Sequence, residues 1–402
     1  SENSEKNMDR LEQFKRYQAQ TTPYPLGLDI DRAEGSWIYD KSGRAYLDLE
    51  AGVSANVIGH SNPRVIRAIK DQVDRYMHVM VYGEFIQDAP LEYARMLTEL
   101  LEPGLDCLYM VNSGTEAIEA SIKLAKRVTG RTEMIGARWA YHGNTQGSLS
   151  MLGVEEQKRA FRPLIPDVRF LEFNNFDDIE MITERTAGVL LESIQGGAGF
   201  VVPKDGWLKA VRERCTQTGT QLIIDEIQPG FGRTGRLFGY QNFDIVPDIL
   251  AIGKAMGGGL PVGGFVSSLE KMQMLLDHPK MGHVTTFGGI VPGDTPYPHR
   301  RRHHPPHFGK RKTVPLAAGT SGHPGDPGHG ADAGSDVRAG RCGSETGNPS
   351  AEQRRDHLPA AVRAPGLASV PAADHLGGRD RFRLQENPGN LGRNAVRRRI
   401  VS

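Results

Sequence analysis

Between about residue 105 and residue 267 the chain alternates between two textures. Short, nearly continuous apolar runs are separated by stretches in which apolar residues recur every three or four positions. The runs are Leu108–Val111, Met134–Ala137, Val168–Phe173, Gly188–Leu191, Leu222–Asp225, Ile249–Ile252 and Gly264–Val266. A strand that is apolar on both faces belongs inside a sheet covered on both sides. Strands separated by helices imply that the sheet is largely parallel. The expected fold class is therefore α/β, and ligands should bind beyond the carboxyl ends of the strands.

The region before residue 105 is less regular. Residues 9–20 predict a short helix, and Asn62-Pro63 should open another that runs to about Tyr76. A third is expected over Pro90–Leu101. Gly35–Asp40 and Ala45–Asp48 flank the turn-forming Lys41-Ser42-Gly43-Arg44 and predict a hairpin.

After Ile290 both textures vanish. Residues 291–402 hold 13 of the 25 prolines, 8 of the 13 histidines and 16 of the 48 glycines. They carry 18 Lys+Arg against 10 Asp+Glu, a net of +8, so residues 1–290 carry −7. Three readings compete. The composition permits a disordered basic extension. The run His299-Arg300-Arg301-Arg302-His303-His304-Pro305-Pro306-His307 suggests a metal- or nucleic-acid-binding tract. Its histidines lack helical ligand spacing, however, and no aromatic residues are interleaved. The third reading is translation in a shifted frame. With suitable third bases, that stretch slid by one base yields a good helix-forming sequence. Sequencing the gene around codon 290 separates the three.

The whole-chain balance of 49 basic and 48 acidic residues makes no case for nucleic acid or an anionic membrane. No run of about 18 apolar residues exists to span a bilayer. The polar start, Ser1 to Arg10, does not read as a secretory signal. Three scattered cysteines give neither a disulfide framework nor a metal site, so a reducing cytoplasm is expected, with no metal.

Candidate chemistry lies just after the strands. Asn112-Ser113-Gly114-Thr115-Glu116-Ala117 follows the first run and opens a helix with Ile118, Ile122 and Ala125 on one face. Ser113 and Thr115 can simply cap that helix. They can also seat a phosphate, because free amides, two hydroxyls and the helix dipole converge where Gly114 lets the backbone approach. Asp225 ends its strand, where it can cap a helix, pair with a base, or hold a proton on a heterocyclic nitrogen. Lys254 follows Ile249–Ile252 and precedes a glycine-rich loop. A lysine held there can titrate low and form a Schiff base with an aldehyde. Tyr141-His142-Gly143 follows Met134–Ala137, and its aromatic ring can lie in the core or flat against a planar ring. Gly230-Phe231-Gly232-Arg233-Thr234-Gly235 matches a dinucleotide fingerprint only in letters, since no strand runs straight into it and no striped helix follows.

Together these residues describe a pyridoxal phosphate pocket, and the sequence resembles the class III (ω-type) aminotransferases of fold type I. The matching blocks run from Asp48 through Gly59-His60-Ser61-Asn62-Pro63 to Thr285-Thr286-Phe287-Gly288-Gly289. Between them lie Asn112–Ala117, Tyr141–Gly143, Glu192–Gly196, Asp225–Gly235 and Pro247-Asp248 to Lys254. The closest likeness is to acetylornithine and ornithine aminotransferases.

The resemblance implies a large cofactor-binding domain over 51–290 and an N-terminal segment, 1–50, belonging to a small domain. It makes Lys254 the Schiff-base lysine and Asp225 the partner of the pyridine nitrogen. Ser113, Gly114 and Thr115 would seat the phosphate, and Tyr141 would stack on the ring beside His142. Gln228 would reach the phenolic oxygen. Glu192 would lie beside the cofactor, and Thr286 would reach the phosphate of a neighbouring subunit in a homodimer. The reaction implied moves an amino group, expected to be terminal, from an amino acid to a 2-oxo acid. The alternatives are a glutamate-1-semialdehyde-type aminomutase, or a non-catalytic product whose C-terminal domain is lost. Members acting on terminal amines usually carry Pro where this chain has Ser193, and many carry Glu where it has Gly197. Nothing in 291–402 matches the family's small C-terminal domain.

Overall fold

The computed structural model describes residues 9–289. The readings offered above for residues 291–402 lie outside the described residues, as does the reading that a lost C-terminal domain makes the chain non-catalytic. The described residues fall in two units, one ending at Pro25 and the other beginning at Leu26. The first carries helix α1, Arg10–Tyr17. Its start is set by a reciprocal cap in which Asp9 accepts from the Glu12 amide (2.7 Å) and Glu12 from the Asp9 amide (3.1 Å).

In the second unit the expected hairpin is present as β2 (Trp37–Asp40) and β3 (Ala45–Leu47), with Asp40 accepting from the Ser42 and Arg44 amides across the turn. A strand not foreseen, β1 (Ile30–Glu34), pairs antiparallel with β2. Helix α2 spans Pro63–Arg75, capped by the Asn62 side chain. Helix α3 spans Asp88–Thr98, two residues ahead of the expected start. Pro90 is therefore third in the helix, still within the first turn, where a missing amide hydrogen costs no helical bond.

The main sheet has seven strands. They are β4 (Cys107–Val111), β5 (Glu133–Ala137), β6 (Val168–Leu171), β7 (Thr186–Glu192), β8 (Gln221–Asp225), β9 (Ile249–Ile252) and β10 (Gly263–Ser267). Their order is β4-β10-β9-β8-β7-β5-β6. All run one way except β10, which is antiparallel to both β9 and β4. The continuous apolar runs reflect burial on both faces. On β8, Leu222 and Ile224 join one core cluster with Trp207, while Ile223 joins another with Ile118 and Ile122. Helix α4 (Gly114–Thr129) covers one face, and helix α6 (Trp207–Thr218) packs on the other. Between them in the chain lies the short helix α5, Gln146–Ser150. Gly230–Gly235 is a set of turns after β8 rather than a strand-fed loop.

Because β4, β5, β7, β8 and β9 share a direction, their carboxyl ends lie along one edge. That edge carries Ser113, Tyr141, Glu192, Asp225 and Lys254.

Candidate active site

At the centre of the edge Glu192 and Asp225 stand side by side, in register at the ends of β7 and β8. Asp225 is only 3% exposed, and both its oxygens are held. Oδ2 accepts from His142 Nδ1 at 2.8 Å and Oδ1 from the Ile227 amide at 3.0 Å. A carboxylate can only accept, so the imidazole proton sits on Nδ1. His142 is itself buried, and its Nε2 has no partner among the described residues. Glu192 accepts from the amides of Gly196 (3.0 Å) and Tyr141 (3.3 Å), which ties the loop after β5 to the end of β7. Burial pushes the Glu192 carboxyl up to about 7.

Lys254 follows β9 in a left-handed conformation, φ 46°, which costs a non-glycine residue about 1 kcal/mol. Burial pushes its ammonium below the ordinary lysine range, and the charges of Asp225 and Glu192 pull it back. The lysine and the two carboxylates thus share one compartment. Gly253 lets the lysine backbone lie against the start of α4: a Cβ there would be 3.2 Å from Gly114 Cα.

At that start, Ser113 caps α4 by accepting from the Glu116 amide at 3.3 Å. Gly114 and Thr115 are the first helical residues, so their amides have no acceptor inside the helix. A Cβ on Gly114 would sit 2.8 Å from Ile227 Cδ1, two residues beyond Asp225. The start of α4 and the turn after Asp225 are therefore brought together by the absence of a side chain. Thr115 Oγ1 lies 2.7 Å from both Thr145 Oγ1 and Ser148 Oγ.

Tyr141 is 44% exposed at the mouth, its hydroxyl accepting from Asn144 at 3.1 Å. The Gln228 amide lies over Gly196, where a Cβ would be 2.2 Å from its Oε1, and its Nε2 is 3.5 Å from Ser54 Oγ. Thr286 is exposed, and among the described residues no hydrogen bond ties it to this cluster.

The structure adds three features not expected from sequence. One is the His142–Asp225 bond, between residues 83 positions apart. Another is Ser54, carried toward Gln228 by a turn in which Ala51, Gly52, Val53 and Ser54 all have positive φ. The third is Glu226, wholly buried beside Asp225.

The pocket fits pyridoxal phosphate. It offers an anion seat of free amides and hydroxyls, a buried carboxylate for a ring nitrogen, an orphaned buried imidazole nitrogen and a lysine that titrates low. It holds no metal cluster: among the described residues no group of three or more His, Cys, Asp or Glu could hold an ion. Nor is any helix among them long and apolar enough to cross a membrane.

Comparison with known proteins agrees with this fit. The family profile "Aminotransferase class-III" matches residues 17–290. The acetylornithine aminotransferase of Methanopyrus kandleri is 37% identical over 284 residues, covering 70% of this chain and 71% of the relative. The [LysW]-aminoadipate semialdehyde/glutamate semialdehyde transaminase of Sulfurisphaera tokodaii is 39% identical over 265 residues, 65% of this chain and 67% of that one. Among solved structures, the taurine:2-oxoglutarate aminotransferase of Bifidobacterium kashiwanohense, in complex with PLP and glutamate, superposes with a TM-score of 0.64. It is 27% identical, and the match covers 70% of this chain and 69% of that one. All three relatives are named for amino transfer, which does not favour the aminomutase alternative.

Proposed function

The chain belongs to the class III aminotransferases, enzymes that use pyridoxal phosphate, and from that premise we propose that it transfers a terminal amino group of an amino-acid-derived donor to a 2-oxo acid. The terminal amine is supported by the names of the two sequence relatives, one acting on acetylornithine and the other on a semialdehyde. The single observation that carries the site assignment is the compartment shared by Lys254, Asp225 and Glu192.

When bound, pyridoxal phosphate supplies an aldehyde that condenses with amines and a ring that takes up electrons from a breaking Cα–H bond. Ser113, Gly114 and Thr115 hold the phosphate with amides and hydroxyls. Asp225 keeps the pyridine nitrogen protonated, and His142 holds that carboxylate in place. Tyr141 covers one face of the ring, and Gln228 donates to the phenolic oxygen. Lys254 anchors the resting cofactor, then moves the proton at the substrate carbon. Its burial raises the neutral fraction that this proton transfer needs. Glu192 fixes the Tyr141 amide and closes the pocket beside Asp225.

Residues 51–290 form the cofactor-binding domain, and residues 1–50 belong with a small domain. The working unit is a homodimer in which Thr286 reaches the partner's phosphate, and the free thiols of Cys107 and Cys215 suit a reducing cytoplasm.

The test is spectroscopic. Full-length protein with added pyridoxal phosphate should show the yellow band of lysine-bound cofactor, which borohydride removes. Lys254→Ala should lack the band while keeping its fold by circular dichroism. A band that survives in that variant overturns the assignment. Release of a semialdehyde in a half-reaction with N-acetylornithine, and recovery of the starting enzyme on adding a 2-oxo acid, tests the substrate class.

A further inference from the structure

Residues 274–289, the segment that carries Thr286, form turns and bends with no strand or helix. Thr286 is exposed and its side chain makes no hydrogen bond among the described residues, so its place is set by how its neighbours are held. Helix α4 holds them from its solvent side. Lys123 and Arg127, one turn apart, both reach across to the segment. Lys123 Nζ donates to the Gly282 carbonyl at 2.7 Å and to His283 Nδ1 at 3.2 Å. Arg127 donates to the carbonyls of Met274 (3.2 Å) and Asp277 (3.0 Å). Strand β4 completes the fastening. The Tyr109 hydroxyl donates to the His283 carbonyl at 2.8 Å, and the two rings pack with centroids 5.2 Å apart. Downstream, Gly288 lies directly on β4, where a Cβ would be 2.4 Å from the Met110 carbonyl oxygen.

We propose that Lys123 is a positioning residue for Thr286, pinning the chain three residues upstream so that the Thr286 hydroxyl is presented to the phosphate bound in the partner subunit. The proton roles are consistent. An ammonium only donates, so His283 Nδ1 accepts and the ring proton sits on Nε2. Burial, helped by the ammonium, pushes the imidazole down to about 4, so near neutral pH it carries no charge to repel Lys123. Lys123 has three protons for its two acceptors, and Tyr109 gives its one to a third. Only residues 284–287 lie between the pin at His283 and the contact at Gly288. With both ends fixed, so short a loop has little freedom left to lose. Without Lys123 the upstream end keeps a single hydroxyl bond, and the loop must be ordered when the phosphate binds, at a cost in affinity. Arg127 grips the chain at Asp277, nine residues before Thr286, and matters less. Strand β4 and helix α4 thus serve two cofactors: their junction offers Ser113–Thr115 to one, and their outer side carries Thr286 to the other.

This inference rests on the proposed reach of Thr286 across a homodimer, and the experiment separates the two. Dissociation constants of the full-length apoprotein for pyridoxal phosphate and for phosphate-free pyridoxal are measured by fluorescence titration, and the preference for the phosphorylated ligand is the readout. Thr286→Ala tests the reach and should cut the preference about tenfold, the worth of one hydrogen bond to a charged group. Lys123→Met should cut it about threefold alone and cause no further loss when added to Thr286→Ala, because the pin acts only through that hydroxyl. Lys123→Arg keeps a cationic donor and should retain most of the preference. Tyr109→Phe removes only the hydroxyl that holds the His283 carbonyl. It keeps the test open if Lys123→Met fails to fold or to dimerise, and its loss should likewise vanish in the Thr286→Ala background. Suppose Thr286→Ala lowers the preference while a folded, dimeric Lys123→Met leaves it unchanged, or lowers it equally in both backgrounds. The positioning is then wrong and the reach stands. If Thr286→Ala leaves the preference unchanged, the reach itself is wrong and the proposal falls with it.

Discussion

Glu226 is fully buried and accepts from the amides of Gly239 (2.7 Å) and Tyr240 (2.8 Å), fastening the loop after β8. Burial pushes its carboxyl up to about 7, as it does that of Glu192. The usual linkage for acids is therefore reversed at these two positions. Both side chains bind protons more tightly in the folded state than in the unfolded chain, where a glutamate titrates near 4.3. Their favourable contribution is complete below that value and is lost as pH rises toward about 7. Unfolding free energies from denaturant titrations between pH 5 and pH 8 should fall across this window, by roughly 3 kcal/mol per group at most. Glu226→Gln should flatten its share of that slope. An unchanged slope in this variant would contradict the assignment.

At the scale of elements, glycines set how closely the strands and helices meet. A Cβ on Gly263, the first residue of β10, would lie 2.3 Å from the carbonyl oxygen of Ser113. Gly263→Ala should force β10 and the start of α4 apart, costing about 1–3 kcal/mol as overpacking. It should also weaken pyridoxal phosphate binding, and urea denaturation with a cofactor titration checks both. Close approaches of this kind leave only a glycine in the sequence, with no sign of what it faces. The five inner strands of the main sheet were legible because burial on both faces makes each an apolar run, and the proposed site residues were singled out because they follow such runs. Strand β1 was not: four of the five residues of Ile30–Glu34 are exposed, so no apolar rhythm marks them. The reversed direction of β10 was equally hidden, since an apolar run reads alike either way. The His142–Asp225 bond needed the sheet to bring two distant strand ends together. The left-handed turn Ala51–Ser54, with a β-branched residue at φ 56°, runs against local preference, so nothing short of tertiary structure marks it.

At the scale of the whole molecule, an exposed apolar face borders a cavity of about 360 Å³ lined by Val81, Tyr82, Phe85, Ile86, Thr285 and Gly288. Ile86 is 89% exposed and Phe287 is 55% exposed beside Thr286. A surface of this kind is costly in water, and in the proposed homodimer it would lie against the second copy. Sedimentation should give a dimer for the full chain, and Ile86→Glu should shift it toward monomer and loosen cofactor binding. A monomeric wild type that binds pyridoxal phosphate normally would exclude a role for Thr286 across the interface.

The pairing of β4 with β10 also sets an order on assembly. Residues 107–111 leave the ribosome some 150 residues before their neighbours at 263–267. At bacterial or eukaryotic elongation rates that is a wait of roughly 10–30 s. For most of it the nascent chain holds the turn at Ser113–Thr115 at one end of an unfinished sheet, with Lys254 not yet made. Lys254 is made only nine residues before β10 begins at Gly263, so the proposed cofactor lysine and the strand that joins β4 to the sheet arrive together at the end of the wait.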